Sequence, residues 1–398
     1  MPPPQRPFHL PEPHLPEALA REVGPEVGPE GQRLSLKNLL FPIGLSVAVL
    51  AVILWVTWDP EALREMGRRL SPGLLALAIG IVGLRVLLGG ARLRHISQRT
   101  LSLYGGIRSA IAWDFMSAVT PSAIGGAPLA AYFVAKDNRI PVGDATAIML
   151  FSMLMDQVWF AISIPFILLA SFFLDVFPPA TGAIGAGTLT AYFVGMMVWA
   201  GFFAYATLIR PSVLEAVAKK VVRVKWLRRF EEKVLAEFHS LRERTARLRE
   251  QPPRFFVGAL GYSVGIWFTR YLTLLFIVLS VFPALDGLTF LVRTVGMYLT
   301  SMVVPTPGGS GGIEALYILF FDGLLPGGLL GPTLLTWRLV AYYLFIAAGL
   351  AVTAQLLNRR ITAPEATEPP PPPASRNGAV QEGVEAGPLH PDPTRNGV

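Results

Sequence analysis

The sequence predicts an all-α polytopic membrane protein, with six full transmembrane helices and two re-entrant broken-helix hairpins arranged as an inverted repeat. Three observations carry that reading. The 398 residues are 52% hydrophobic but only 15% charged, with a mean hydropathy of +0.49, whereas a soluble domain carries about 25% charged residues. Leu39 to Trp58, Thr181 to Ile209 and Phe255 to Pro283 each supply the ~20 apolar residues that a helix needs to cross hydrocarbon. Two further apolar stretches are interrupted near their middles by proline and glycine, one in each half of the chain.

The elements follow in order. Residues 1–36 and 361–398 are rich in Pro, Gly and Glu without apolar periodicity, and read as disordered tails around a membrane domain at 37–360. Leu39 to Trp58 is an uncleaved first span, since no apolar core follows a basic start at the N-terminus. Ser71 to Leu88 is the second, ending in the basic stretch Gly89 to Arg108. Ile107 to Ala135 is broken by Thr120-Pro-Ser-Ala-Ile-Gly-Gly-Ala-Pro128, because proline removes a helix hydrogen bond and glycine weakens the ladder. Val142 to Leu174 and Thr181 to Ile209 are spans joined by the turn Asp175 to Ala180. Phe255 to Pro283 follows, then Leu288 to Phe321, broken by Pro305-Thr-Pro-Gly-Gly-Ser-Gly-Gly312, and finally Pro332 to Leu357.

Residues 210–254 carry 13 Lys or Arg against 6 Glu, with apolar residues at three- and four-residue steps from Leu227 to Leu248. This pattern suits an amphipathic helix on an anionic membrane surface, or equally a solvated cytoplasmic hairpin. Its partner is lipid; no nucleic acid is expected. If both broken segments cross fully, basic residues divide 18 to 12 between the two sides; if both dip in and return, they divide 27 to 3. The positive-inside rule selects the second arrangement, with both termini cytoplasmic at the inner membrane. Three crossings then precede Asp175 to Ala180 and three follow, so the halves are inverted, as in transporters whose site lies where broken helices meet near the midplane.

Each break precedes an apolar run, so Pro121, Gly125, Gly126 and Pro128 in the first, and Pro305, Pro307, Gly308, Gly309, Gly311 and Gly312 in the second, place a helix start at membrane depth. Free N–H groups and the dipole there favour an anion; the same glycines equally serve tight turns and packing. Arg338 and Tyr342, one turn apart, can grip a phosphate, or Arg338 can form an internal pair with Asp156 or Glu314. Glu314 sits in the first turn of its half-helix, where the dipole favours a carboxylate whatever its function. Asp114, Asp156 and Arg270 are the remaining charges expected to face an interior, as coupling groups or buried partners. Arg85 and Arg293 fall near span ends and are expected to snorkel, and Asp144 to cap a helix.

Several chemistries are excluded. There are no cysteines, and the five histidines show no ligand spacing, so no metal site or cofactor is expected. Gly308-Gly-Ser-Gly-Gly312 formally matches G-x-S-x-G, but no strand precedes it and no histidine is expected in a span. Gly261 to Gly265 matches G-x-x-x-G and reads as close helix packing. No Walker A sequence is present. No transferase or hydrolase constellation emerges, and the chain reads as a non-enzyme.

The strings SAVTPSAIGGAPLAAYFVAK (117–136), VVPTPGGSGGIEALYILFF (303–321) and LLTWRLVAYYLFIAAGL (334–350) resemble the three signatures of the lysylphosphatidylglycerol synthase transmembrane family, over roughly residues 38–358. The resemblance implies a flippase-like domain moving aminoacylated or other phospholipids, or a lipid-linked anion, between leaflets, with Arg338 on the Trp-Arg-Leu-x-x-Tyr-Tyr signature. Some relatives fuse it to a soluble transferase; the 38 residues after Arg360 are too few for one. One alternative is a non-transporting subunit that anchors or regulates a separate lipid-modifying or glycosyl-transferring enzyme. Another is a membrane-embedded transferase with Asp156 or Glu314 as base.

Overall fold

The computed structural model describes residues 51, 52, 55, 60–119, 126–177, 182–205, 250–302, 304, 306 and 309–362. The tails at 1–36 and 363–398, most of the span Leu39 to Trp58, the loop at 206–249, and Pro121, Gly125, Pro305, Pro307 and Gly308 lie outside them. The chain divides into two units, 1–354 and 355–398; of the second, only the end of the last helix is described.

Eleven α-helices occur among the described residues, and no strand. They are α1 Pro60–Arg69, α2 Pro72–Ile96, α3 Leu103–Val119, α4 Gly126–Asn138, α5 Val142–Ala170, α6 Gly182–Ala204, α7 Pro253–Leu279, α8 Gly287–Ser301, α9 Gly312–Phe321, α10 Gly327–Arg338 and α11 Leu344–Thr362, with a π-helical turn at Leu339–Tyr343 between the last two. Among the described residues, four stretches are long and apolar enough to cross a membrane: Pro72–Ile96, Val142–Ala170, Pro253–Leu279 and Gly328–Thr353. In α6 the apolar helix is shorter, Gly187–Phe202.

Helix ends follow local chemistry. Pro72 occupies the first turn of α2 and Pro253 that of α7, where no N–H is needed. Asp286 caps α8 by accepting from the backbone N–H groups of Leu288 (3.2 Å) and Thr289 (3.3 Å). Asp144 is not a cap: α5 already starts at Val142, and Asp144 sits in its first turn, where the dipole still favours a carboxylate. The second expected interruption is present, since α8 ends at Ser301 and α9 begins at Gly312; α3 runs to Val119 and α4 starts at Gly126, and residues 120–125, where the first is expected, lie outside the described residues.

The expected end of the second span at Leu88 is corrected, because α2 runs on through Gly89 and Gly90 to Ile96. These glycines admit a neighbour rather than stop the helix. A Cβ on Gly90 would lie 2.7 Å from the Ile107 backbone nitrogen, and one on Gly106 would strike the Gly90 carbonyl. Helices α2 and α3 therefore touch backbone to backbone at this crossing. Helix α7 lies along α2, and the backbone N–H of Ser71, before α2, donates to the Ser280 carbonyl, after α7, at 2.7 Å. Of the G-x-x-x-G pair, Gly265 meets Leu88, whereas Gly261 faces open space, so the motif packs a helix at one glycine.

Each interrupted pair folds back so that its outer ends meet. Arg108 near the start of α3 forms a twofold ion pair with Asp137 at the end of α4, both bonds 2.9 Å, and the Asn138 amide donates to Ser109 at 3.0 Å. In the second pair, Phe290 stacks on Phe321 at 4.3 Å and Arg293 donates to the Phe320 carbonyl at 3.0 Å. Arg293 does not snorkel. It is 3% exposed and also donates to the Asp175 carbonyl at 2.6 Å, tying the end of α9 to the turn after α5.

Candidate functional site: a charged cavity between the helices

Five charged side chains from four helices face one cavity of about 770 Å³. Helix α2 contributes Arg85 and Arg92, α3 Asp114, α5 Asp156, and α7 Arg270. Spacing explains the shared orientation: Arg85 and Arg92 are seven residues apart, two turns on one face, and Ser263, Trp267 and Arg270 follow the four-then-three step of one helix face. The rest of the wall is largely apolar and aromatic, including Trp113, Phe160, Trp267 and Phe345.

The charges form two clusters. In the first, Asp114 is shared: Arg85 donates to one oxygen at 2.7 Å and Arg270 to the other at 3.1 Å. The Arg85 guanidinium also lies 3.8 Å over the Phe345 ring. In the second, Arg92 donates to Asp156 at 2.7 Å and to Ser263 at 3.0 Å, and the Trp267 indole N–H reaches the same Asp156 oxygen at 3.1 Å. Trp267 joins the clusters, because the Arg270 guanidinium sits 5.1 Å over its ring.

Among the described residues, three guanidiniums against two carboxylates give the cavity lining a net +1. Spare polar atoms remain as well: Arg92 Nε, Arg270 Nε, Gln157 Oε1 and Thr306 Oγ1 are buried with no hydrogen-bond partner among the described residues. Arginine stays protonated in proteins, so this charge persists, and a buried uncompensated charge is costly.

The residues singled out from the sequence distribute as follows. Asp114, Asp156, Arg270, Tyr342 and Gly309 line the cavity. Arg338 and Glu314 do not. Of the alternatives open for Arg338, the structure has the internal pair, with Glu314 and not Asp156: both side chains are buried, Arg338 Nε donates to Glu314 Oε1 at 2.7 Å, and a second guanidinium nitrogen binds the same oxygen. The other Glu314 oxygen accepts the Gly311 N–H at 2.7 Å. Gly309 and Gly311 have φ of +70° and +85°, a region that only glycine enters freely, and Gly312 packs on Val304. These glycines therefore shape the turn before α9. Gly126 and Pro128 lie in the first turn of α4.

Tyr342 bridges the two interruptions. Its hydroxyl donates to the Ala118 carbonyl, at the end of α3, at 3.2 Å, and meets Ser310 Oγ, before α9, at 3.5 Å. Sequence reasoning missed Arg85 and Arg92, assigning one to snorkelling and the other to a loop. The signal that finds them is their two-turn spacing within a helix that continues past Gly90. No histidine was expected in a span, yet His95 belongs to α2 and stacks on Phe255 at 4.8 Å.

Several helices long and apolar enough to cross a membrane, packed around a charged cavity, define a polytopic membrane protein. The sequence profile described as the lysylphosphatidylglycerol synthase TM region matches residues 43–349, and the chain belongs to that family. It is also similar to the UPF0104 membrane protein of Archaeoglobus fulgidus, 22% identical over 317 residues that cover 77% of this chain and 93% of the relative. No solved structure matches the chain.

Proposed function

We propose that the protein is a flippase-like lipid transporter that carries a phospholipid or lipid-linked anion between leaflets through the charged cavity. The observation that carries this reading is the net +1 cavity with apolar walls: a headgroup phosphate finds counter-charge there while its chains stay among apolar side chains. Unpaired, a phosphate crossing hydrocarbon meets a large desolvation penalty. Arg85, Arg270 and Arg92 act as the fixed counter-charges, with Asp114 and Asp156 orienting them. The Arg338–Glu314 pair holds the α9 start in place behind Tyr342.

Re-entrant geometry supports the same reading. Helices α3, α4, α8 and α9 have 17, 13, 15 and 10 residues, or at most ~26 Å at 1.5 Å per residue, short of the ~30 Å hydrocarbon core. The clips between Arg108 and Asp137 and between Arg293 and Phe320 return each hairpin to its entry side. The two hairpins then belong to inverted halves in an inner membrane with cytoplasmic termini, and the basic loop at 210–254 rests on anionic lipid, where a separate transferase could also dock.

The test is lipid movement by the purified protein in vesicles containing a fluorescent acyl-labelled phospholipid, read by external dithionite quenching. Wild type should expose inner-leaflet lipid, and Arg85→Gln should slow this at least tenfold. Absence of movement by well-folded wild type would favour an accessory subunit.

A further inference from the structure

We infer that the cavity selects lipids that carry a single phosphodiester negative charge and an uncharged, hydroxyl-bearing headgroup alcohol, and discriminates against cationic aminoacylated and zwitterionic amine headgroups. This inference rests on the transport reading of the same cavity and adds its substrate class.

The argument begins with charge. A cationic headgroup needs a carboxylate not already balanced by a cation, and among the described residues the lining has none, because three guanidiniums outnumber two carboxylates. Asp114 is held by Arg85 and Arg270 together, and Asp156 accepts from Arg92 and the Trp267 indole. With the fixed charge at +1, a phosphodiester monoanion brings the occupied cavity to zero. A zwitterionic amine lipid leaves +1, and a lysyl ester with two ammonium groups and one phosphate raises it to +2. Only the first occupant removes the uncompensated charge.

The spare polar atoms fix the rest of the headgroup. Gln157 Oε1 and Thr306 Oγ1 are unpartnered, and so is Nε of Arg92, a residue only 7% exposed. A hydroxyl both donates and accepts, so a polyol completes Gln157 Oε1 and Arg92 Nε alike, whereas an ammonium can only donate. Trp113 and Trp267, each facing an arginine at 5.6 and 5.1 Å, give this end flat walls suited to the carbon skeleton of a glycerol or sugar. Arg85 and Arg92 are separated by ~10 Å along α2 at 1.5 Å per residue. The +1 cluster around Asp114 therefore takes the phosphate, and the neutral cluster around Asp156 takes the hydroxyls.

The experiment uses the full chain in phosphatidylcholine vesicles with trace acyl-labelled phosphatidylglycerol, phosphatidylethanolamine or lysylphosphatidylglycerol, compared by dithionite quenching. Phosphatidylglycerol should move at least tenfold faster than the other two. Arg270→Glu, at a partly exposed position, changes the cavity from +1 to −1 and should invert that order; if it does not fold, Arg270→Gln should narrow the preference at least threefold. Equal rates, or faster lysylphosphatidylglycerol, overturn the headgroup assignment and leave transport standing. If no lipid moves, transport fails, and binding of dihexanoyl phosphatidylglycerol against dihexanoyl phosphatidylethanolamine to detergent-purified protein decides the headgroup alone. A tenfold preference lost in Arg270→Glu upholds the inference, and equal binding overturns it. Glycerol phosphate binding as tightly as the short-chain lipid would point to a soluble organophosphate and overturn the lipid assignment.

Discussion

Replacing either member of the Arg338–Glu314 pair should be far more damaging than replacing both. Glu314 is fully buried and Arg338 is 3% exposed. Arg338→Leu leaves a carboxylate at membrane depth with only the Gly311 N–H for company, and breaking such a pair costs about 3–5 kcal/mol. Glu314→Leu strands the guanidinium at similar cost and also removes the acceptor for the Gly311 N–H, a loss comparable to a helix cap, ~1 kcal/mol. The double Leu variant removes both charges together. Buried ion pairs are often neutral against apolar replacements of similar volume, so the double should sit within ~2 kcal/mol of wild type. A double-mutant cycle on detergent-purified protein, unfolded with sodium dodecyl sulfate and followed by tryptophan fluorescence, measures this coupling. Losses that simply add would refute the pairing argument. A well-folded double variant that no longer moves lipid would return Arg338 to direct contact with the substrate.

Three further outcomes test other parts of the fold. Gly106→Val should destabilise by ~3 kcal/mol or more, since its side chain meets the Gly90 carbonyl and backbone yields less readily than side chains; thermal melting in detergent reads it, whereas Gly80→Ala, in open space, should be near neutral. Asp286→Ala should cost ~1 kcal/mol as a lost N-cap. Its hydrogen bonds with Thr289, then Leu288, hold the Asp286 carboxyl below the ordinary 3.8, so its stabilisation is complete above that value and is lost as pH falls through the depressed one, a difference that vanishes in the alanine variant. A single cysteine at Asn138 should resist an impermeant maleimide applied to intact cells, while one at Gly327 should react; the reverse pattern contradicts the proposed orientation.

The break at Pro305–Gly312 was legible because Pro and Gly act locally on the backbone. Helix α2 was misjudged for the complementary reason: Gly89 and Gly90 look like an ending, but packing on Ile107 and Gly106 overrides a propensity cost of ~1 kcal/mol each. The candidate site was half legible. Asp114, Asp156 and Arg270 announced themselves as charges inside apolar runs. Arg85 and Arg92 did not, because nearness to a supposed span end supplied a sufficient explanation for each. Partner choice was not readable at all: Asp156 meets Arg92 across 64 positions and Asp114 meets Arg270 across 156, pairings that only the assembled bundle determines.

The π-helical turn at Leu339–Tyr343 acts as a rotational spacer in the last membrane helix. One residue more than an α-helix holds is wound into that turn, and each residue of an α-helix advances the azimuth by about 100°. Winding the same five residues as regular α-helix would swing everything beyond them by roughly that angle. Phe345 would leave the Arg85 guanidinium, and Gly349 would leave the Phe115 ring that it now admits. The wide turn thus absorbs one residue and sets the phase between the half of the helix that carries Arg338 and the half that closes the cavity wall, so a one-residue deletion that returns this segment to regular helix keeps the phase, whereas an added residue breaks it.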